Sequence, residues 1–212
     1  PGDRIFLMGY SRGAFAIRSL AAMVGRVGLL RQDAATERNI RTVWRMYRDE
    51  GSARARADLR ARLCHDSAPI DMLGAFDTVM ALGIRLPVLW MLTEPRFRFH
   101  DQHLGDDVLL GAQALALDET RAAFQPILWN SAGRTAGRIV QMWFKGYHAD
   151  IGGQLRGDES ARPLANIPLV WMLGQAESAG LPLPEGWRGR FDQDVSAPSV
   201  GNWRGWAKAF LA

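Results

Sequence analysis

A single cysteine, Cys64, is all the sequence offers for thiol chemistry, so neither an internal disulfide framework nor a cysteine-based metal cluster can be built. That usage fits folding in a reducing compartment. Lysine is almost as scarce. Only Lys145 and Lys208 occur, and arginine carries nearly all of a balance of 26 Lys+Arg against 22 Asp+Glu. The resulting charge of +4 comes without aromatic–basic motifs or zinc-finger spacing, so no nucleic-acid partner is expected. A basic surface suits anionic partners such as phospholipid headgroups, or is simply a solvated face. No apolar run approaches the roughly 18 residues of a membrane span. No secretory signal heads the chain, and internal repeats and low-complexity runs are missing. What remains is ordinary: 48% hydrophobic and 23% charged residues, enough for one sizeable core, with residues 1–212 read as a single domain.

The most informative stretch lies near the start. Ile5 to Met8 form a short apolar run, followed by Gly9-Tyr10-Ser11-Arg12-Gly13 and then by Ala14, Ile17, Leu20, Met23 and Val24 at helical spacing. This is strand, tight turn, helix, with a serine in the turn. A G-x-S-x-G turn needs small residues beside the serine because the backbone bends sharply there. The bend lifts the hydroxyl clear of the sheet, and the N–H of the next residue, Arg12, can face a substrate oxyanion. The alternative is a Gly-rich phosphate-binding turn with a capping serine, but the lysine of a P-loop is missing.

Further along, Asp33 reads as the N-cap of a helix to Arg48, with Ile40, Val43, Trp44 and Tyr47 on one face. Ala53 to Leu63 reads as an Arg- and Ala-rich helix. Ile70 to Phe76 reads as a second strand, ending at Asp77, where α/β folds place functional groups. Pro87 to Leu92 is apolar, and Arg96 to Asp101 alternates. Asp106 to Leu117 reads as a helix with Val108, Leu109, Ala112 and Leu115 inward. Arg138 to Phe144 is a third strand, and His148 follows it on a Gly-rich loop with Asp150, Gly152 and Gly153. Asn166 to Ala179 reads as the last helix.

Three strand ends therefore carry Ser11, Asp77 and His148, in the chain order of α/β-hydrolase triads. A serine hydroxyl is a weak nucleophile until a histidine accepts its proton, and a carboxylate fixes the imidazole tautomer. Asp77 has a competing reading as a helix cap, and Asp150 a competing one as the acid, although two residues from His148 it is better suited to fixing that loop. His100 and His103 beside Asp101 read as a polar turn or rim. Asp118, Glu119 and Arg121 read as a structural ion-pair or capping cluster. Trp44, Trp90 and Trp143 read as core side chains rather than a binding surface.

The chain resembles the α/β-hydrolase-like bacterial domain family that includes type VI secretion phospholipase effectors, formerly a domain of unknown function. The resemblance rests on I-F-L-M-G-Y-S-R-G-A-F, F-D-T-V-M-A-L-G-I, A-L-A-L-D-E-T-R-A-A-F, V-Q-M-W-F-K-G-Y-H-A-D-I-G-G and I-P-L-V-W-M-L-G-Q-A-E-S-A-G-L. It runs from Asp3 to about Leu181. It implies an α/β fold with a mostly parallel sheet and flanking helices, Ser11 as nucleophile, His148 as base and Asp77 as third member. Phe76, Met80 and Gln154 stand where the family often has Trp, Gly and Gly, and its N-terminal D-G-T motif is missing. Ten residues before Ser11 cannot hold the strands that precede such a nucleophile, so the expectation is an N-terminally truncated domain whose second oxyanion donor lies upstream.

The expected function is hydrolysis of carboxylic esters in membrane phospholipids by a phospholipase A-type effector. Such an effector is made in the bacterial cytoplasm and delivered to the periplasm or membrane of a target cell. A secretion spike protein and an immunity protein are the further partners implied by the resemblance. No metal or cofactor is expected. The rival expectations are an inactive hydrolase-like interaction module, or an esterase or acyltransferase on a non-lipid substrate.

Overall fold

The computed structural model describes residues 2–49, 52–79, 103–121, 124–132 and 135–201. Met80, Trp90, the Pro87–Leu92 and Arg96–Asp101 stretches and His100 lie outside the described residues. The elements run β1 (Phe6–Tyr10), α1 (Arg12–Val27), α2 (Glu37–Arg48), α3 (Ala53–Leu63), β2 (Ile70–Phe76), β3 (Val108–Ala116), β4 (Ile139–Phe144), α4 (His148–Ile151) and α5 (Arg162–Ser178).

The four strands form one parallel sheet in the order β1-β2-β3-β4. Helices cover both faces, as a parallel sheet requires. On one face α1 packs Ala14 and Ala21 against Leu73 and Ala75 of β2. On the other, Met172 and Ala176 of α5 meet Met72, Ala112 and Ala114. Leu73 is 2% exposed, and burying a side chain of that size stabilises by roughly 1.5–3 kcal/mol. A third cluster of Val27, Val43, Tyr47, Leu59 and Cys64 joins α1 to α2 and α3.

The clearest departure from the sequence reading is Asp106–Leu117, which is not a helix. Its centre is β3, buried on both faces from Gly111 to Ala116. A strand covered on both sides is apolar at every position, so its apolar residues also satisfy a helical template by chance. Gly111, Ala112, Ala114 and Ala116 keep that strand slim beneath α5 and Trp129. Smaller corrections are local. Thr36, not Asp33, caps α2 by accepting the Asn39 N–H at 3.3 Å, while Gln32–Ala34 forms a 3-10 turn. The first helix, read from the sequence as Ala14 to Leu30, stops at Val27, before Gly28 at φ 111°. The last helix starts at Arg162, with Pro163 at its first turn, where a missing N–H costs nothing. Trp44 and Trp143 are not core side chains. They are 49% and 48% exposed, and among the described residues β4 pairs with β3 alone.

The 125–130 segment is held by an isolated antiparallel bridge between Val79 and Pro126 and by side chains. Gln141 accepts the Trp129 N–H at 2.9 Å and donates to the Trp129 carbonyl at 3.1 Å. Ile127 is tied to the Thr78 carbonyl, and its own carbonyl accepts from Gln113 and Arg18. This segment closes the floor beneath the end of β2.

Candidate active site

Register places the site. Tyr10 of β1 pairs with Phe76 of β2, and Phe76 with Ala114 of β3. The next residue on β1 is Ser11 and the next on β2 is Asp77, so both stand side by side at the carboxyl edge of the sheet. The ladder continues past the strand ends. Ser11 donates its N–H to the Phe76 carbonyl at 2.9 Å, and Asp77 donates to Ala114 at 2.8 Å. His148 follows β4 on the same edge as the first residue of the one-turn helix α4, not on an open loop.

Both turns are bent into backbone that non-glycine residues avoid. Ser11 has φ 57° and ψ −120°, and Asp77 has φ 43°. Each such residue costs on the order of 1–3 kcal/mol and persists only when its surroundings over-determine it. At Ser11 the glycines of the motif explain how. A Cβ on Gly9 would lie 2.6 Å from the backbone C and O of Gly13 and 2.8 Å from the Ala14 nitrogen. Strand and helix therefore touch through a hydrogen atom, and the serine is pushed outward. Arg12 opens α1, so its N–H has no carbonyl a turn earlier in the helix to pair with and belongs to the positive end of the helix dipole.

The three side chains meet. His148 Nε2 lies 2.8 Å from Ser11 Oγ, and Nδ1 lies 2.6 Å from Asp77 Oδ2. An ionised carboxylate only accepts, so Nδ1 carries the proton facing Asp77 and Nε2 accepts from the Ser11 hydroxyl. Asp77 is 0% exposed, and its other oxygen accepts the Ala116 N–H at 3.2 Å. Asp150 does not reach the imidazole. Its carboxylate accepts the N–H groups of Tyr147 and Val200 at 2.8 Å each and the Ser199 hydroxyl, which pins α4 to the 199–200 segment. Gly152 lies against the Tyr10 ring, where a Cβ would sit 2.2 Å from Cε2, and Gly153 takes φ 66°.

Glu119 and Arg121 form a buried ion pair beside this helix, with Arg121 Nη2 2.6 Å from Glu119 Oε2 and side chains 7% and 3% exposed. Burial pushes the Glu119 carboxyl up. The Arg121 guanidinium and the N–H groups of Arg121 and His148 outweigh that and hold it below the usual carboxylate range. Asp118 accepts the Gly146 N–H at 2.7 Å, so this acidic cluster is an anchor for the turn into α4. Sequence reasoning missed two aromatic neighbours. The rings of Tyr10 and Phe124 each have their centroids 4.7 Å from the imidazole. Only Tyr10 carries a local signal, as the residue before the serine; Phe124 reaches the site by tertiary folding alone. His103 is exposed and lines a separate cavity with Arg18, Leu104, Asp106 and Trp129. Among the described residues, no group of three or more His, Cys, Asp or Glu is placed to hold a metal ion.

The model of the T6SS phospholipase effector Tle1-like catalytic domain matches residues 1–175. The chain belongs to that family. The match spans all four strands and all three residues brought together at the sheet edge. An uncharacterized protein of Saccharomyces cerevisiae, YEL023C, is 29% identical over 139 residues, covering 60% of this chain. The chain spans only 19% of that yeast protein's length. No solved structure matches the chain. The Tle1-like family is one of type VI secretion phospholipase effectors, and among the described residues no helix is long and apolar enough to cross a membrane.

Proposed function

We propose that this Tle1-like domain is a serine hydrolase that cleaves acyl esters of membrane phospholipid, with Ser11 as nucleophile, His148 as general base and acid, and Asp77 as the carboxylate that orients it. The observation that carries the reading is the continuous hydrogen-bonded line Ser11 Oγ–His148–Asp77, at 2.8 and 2.6 Å. Ser11 Oγ attacks the acyl carbonyl while its proton passes to His148 Nε2. The imidazolium is stabilised by buried Asp77 across Nδ1. The carbonyl oxygen, now negative, takes the Arg12 N–H as one donor at the start of α1. Collapse of the tetrahedral species breaks the ester C–O bond, and His148 returns the proton to the departing alcohol oxygen. Water then repeats the sequence on the acyl-serine, releasing fatty acid and restoring Ser11.

Membership of a family of phospholipase effectors supports the lipid substrate, and delivery to a target cell by a type VI system is part of the same proposal. A phospholipid-vesicle assay tests it. The wild-type protein is expected to release fatty acid, and Ser11→Ala to lose at least ~1,000-fold of that rate. Equal release by the two proteins would remove Ser11 from the mechanism. Hydrolysis of short soluble esters with none of phospholipid would leave the chemistry standing and replace the substrate.

A further inference from the structure

Two aromatic rings pack against the imidazole of His148. The Tyr10 centroid is 4.7 Å away with planes at 34°, and the Phe124 centroid is 4.7 Å away with planes at 56°. Both distances fall within the ~4.5–7 Å range of favourable ring pairs. Each ring is itself braced. Tyr10 lies on Gly152, which has no room for a Cβ. Phe124 lies under the Arg121 guanidinium, 3.9 Å from its centroid. Arg121 is in turn gripped by Glu119, whose Oε2 also accepts the His148 backbone N–H at 3.3 Å. The backbone and the ring of His148 are thus referenced to one buried ion pair.

We propose that Tyr10 and Phe124 form an aromatic clamp that positions His148 and selectively stabilises its protonated state during attack by Ser11. This rests on the assignment of His148 as the base. An aromatic face attracts a cation within about 6 Å of its centroid and gains much less from a neutral ring. The clamp therefore favours the imidazolium, which forms only as the reaction proceeds, over the resting imidazole. Interactions stronger in the transition state than in the ground state are the ones that raise kcat. The charges around the ring are accounted for. Asp77 faces Nδ1. Glu119 neutralises Arg121, so the guanidinium beyond Phe124 does not oppose the imidazolium. Asp150 is turned to Tyr147, Ser199 and Val200. The charge of Arg156 acts on the Tyr10 phenol in the opposite sense to that of Asp77. Among the described residues the buried Tyr10 hydroxyl has no hydrogen-bond partner, so its ring, not its oxygen, is the working part. Burial, and then the charge of Asp77, push that phenol above its ordinary range, so it stays protonated.

The experiment is a pH profile of kcat/KM on p-nitrophenyl butyrate for wild type, Tyr10→Phe, Tyr10→Leu and Phe124→Leu. Tyr10→Phe keeps the ring and is expected to match wild type within about twofold. Each leucine variant is expected to lose about fivefold on the plateau while its acid limb moves about 0.7 pH unit downward. A loss of packing alone lowers the plateau and leaves the limb where it was. A falling plateau with an unmoved or upward-moving limb, or leucine variants that behave as wild type, overturns the clamp. If the leucine variants do not fold, pentafluorophenylalanine at position 124 keeps the shape and reverses the ring's electrostatic face. It is then expected to show the same paired change, and a wild-type profile overturns the clamp. Ser11→Ala in the same assay separates the two levels: if it retains activity, the assignment of the site has failed, whatever the clamp variants do.

Discussion

Two glycines four residues apart in one motif have opposite requirements, and that contrast tests how the serine turn is built. Gly9 ends β1 in contact with α1: its missing Cβ would stand 2.6 Å from two backbone atoms of Gly13 and 2.8 Å from the Ala14 nitrogen. Ordinary carbon contacts begin near 3.5 Å, so Gly9→Ala must open a gap of about 1 Å between strand and helix. Backbone on both sides leaves no flexible side chain to give way. Overpacking of this kind costs typically ~1–3 kcal/mol. The displacement also falls on Ser11 and Arg12, the two residues between the clashing parts. A misplacement of about 1 Å at reacting groups costs on the order of 100-fold in rate. Gly13 differs in every respect. Nothing lies within 4 Å of its absent Cβ, and it sits in the first turn of α1. Gly13→Ala is therefore expected to stabilise the protein by about 0.5–1 kcal/mol, the usual gain from glycine to alanine in a helix. Urea unfolding gives the stability of each variant, and the rate of labelling by a fluorophosphonate probe reports the geometry of Ser11. A Gly9→Ala protein that unfolds and reacts like wild type would refute the close-contact argument. So would a Gly13→Ala protein that is destabilised as much as Gly9→Ala.

Two further substitutions probe the charged groups around the site. Arg18 is 6% exposed, pairs with no carboxylate among the described residues, and is pushed down to about 10 by burial. Its folded value lies below its unfolded one, so the burial penalty is present at every pH below about 10 and fades only above it. Arg18→Met is expected to be neutral or stabilising in thermal unfolding at pH 7, because Gln113 still donates to the Ile127 carbonyl that Arg18 gives up; a loss beyond about 2 kcal/mol contradicts this. Glu119 is held below the usual carboxylate range. Its contribution is therefore complete above its unfolded value near ~4.3 and is lost as pH falls through the folded one. Glu119→Gln is expected to flatten the fall in stability measured by urea unfolding between about pH 5 and pH 3, and slopes equal to wild type would show that the pair with Arg121 carries no such linkage.

How much of this was legible in the sequence depended on whether a signal was local. The strand–turn–helix around Ser11 was readable because the glycines, the apolar run and the helical spacing all act within twenty residues. The ends of β2 and β4 were readable because Pro69 and Gly146 punctuate short apolar runs, and chain order then suggested Ser11, Asp77 and His148 as partners. β3 was misread because a strand covered on both faces has no period to detect. Thr36 outcompeted Asp33 as a cap because the 3-10 turn at Gln32–Ala34 shifts the helix start by one turn, which propensity alone does not reveal. Trp44 and Trp143 differ for another reason: bulk suggests burial, but β4 is the outermost strand among the described residues and α2 buries only Val43 and Tyr47. Phe124 had no signal, since its contact with His148 spans parts of the chain joined only by the fold.

In the proposed mechanism Ser11 is a nucleophile activated through His148 and Asp77. Its most direct test is covalent labelling of the protein by a fluorophosphonate, with the modified residue located by mass spectrometry. Modification is expected at Ser11, with labelling slowed by at least ~1,000-fold in His148→Ala and by a smaller but large factor in Asp77→Asn, which keeps the shape and loses the charge. Labelling at another residue, or labelling of Ser11 that is indifferent to His148, would contradict it.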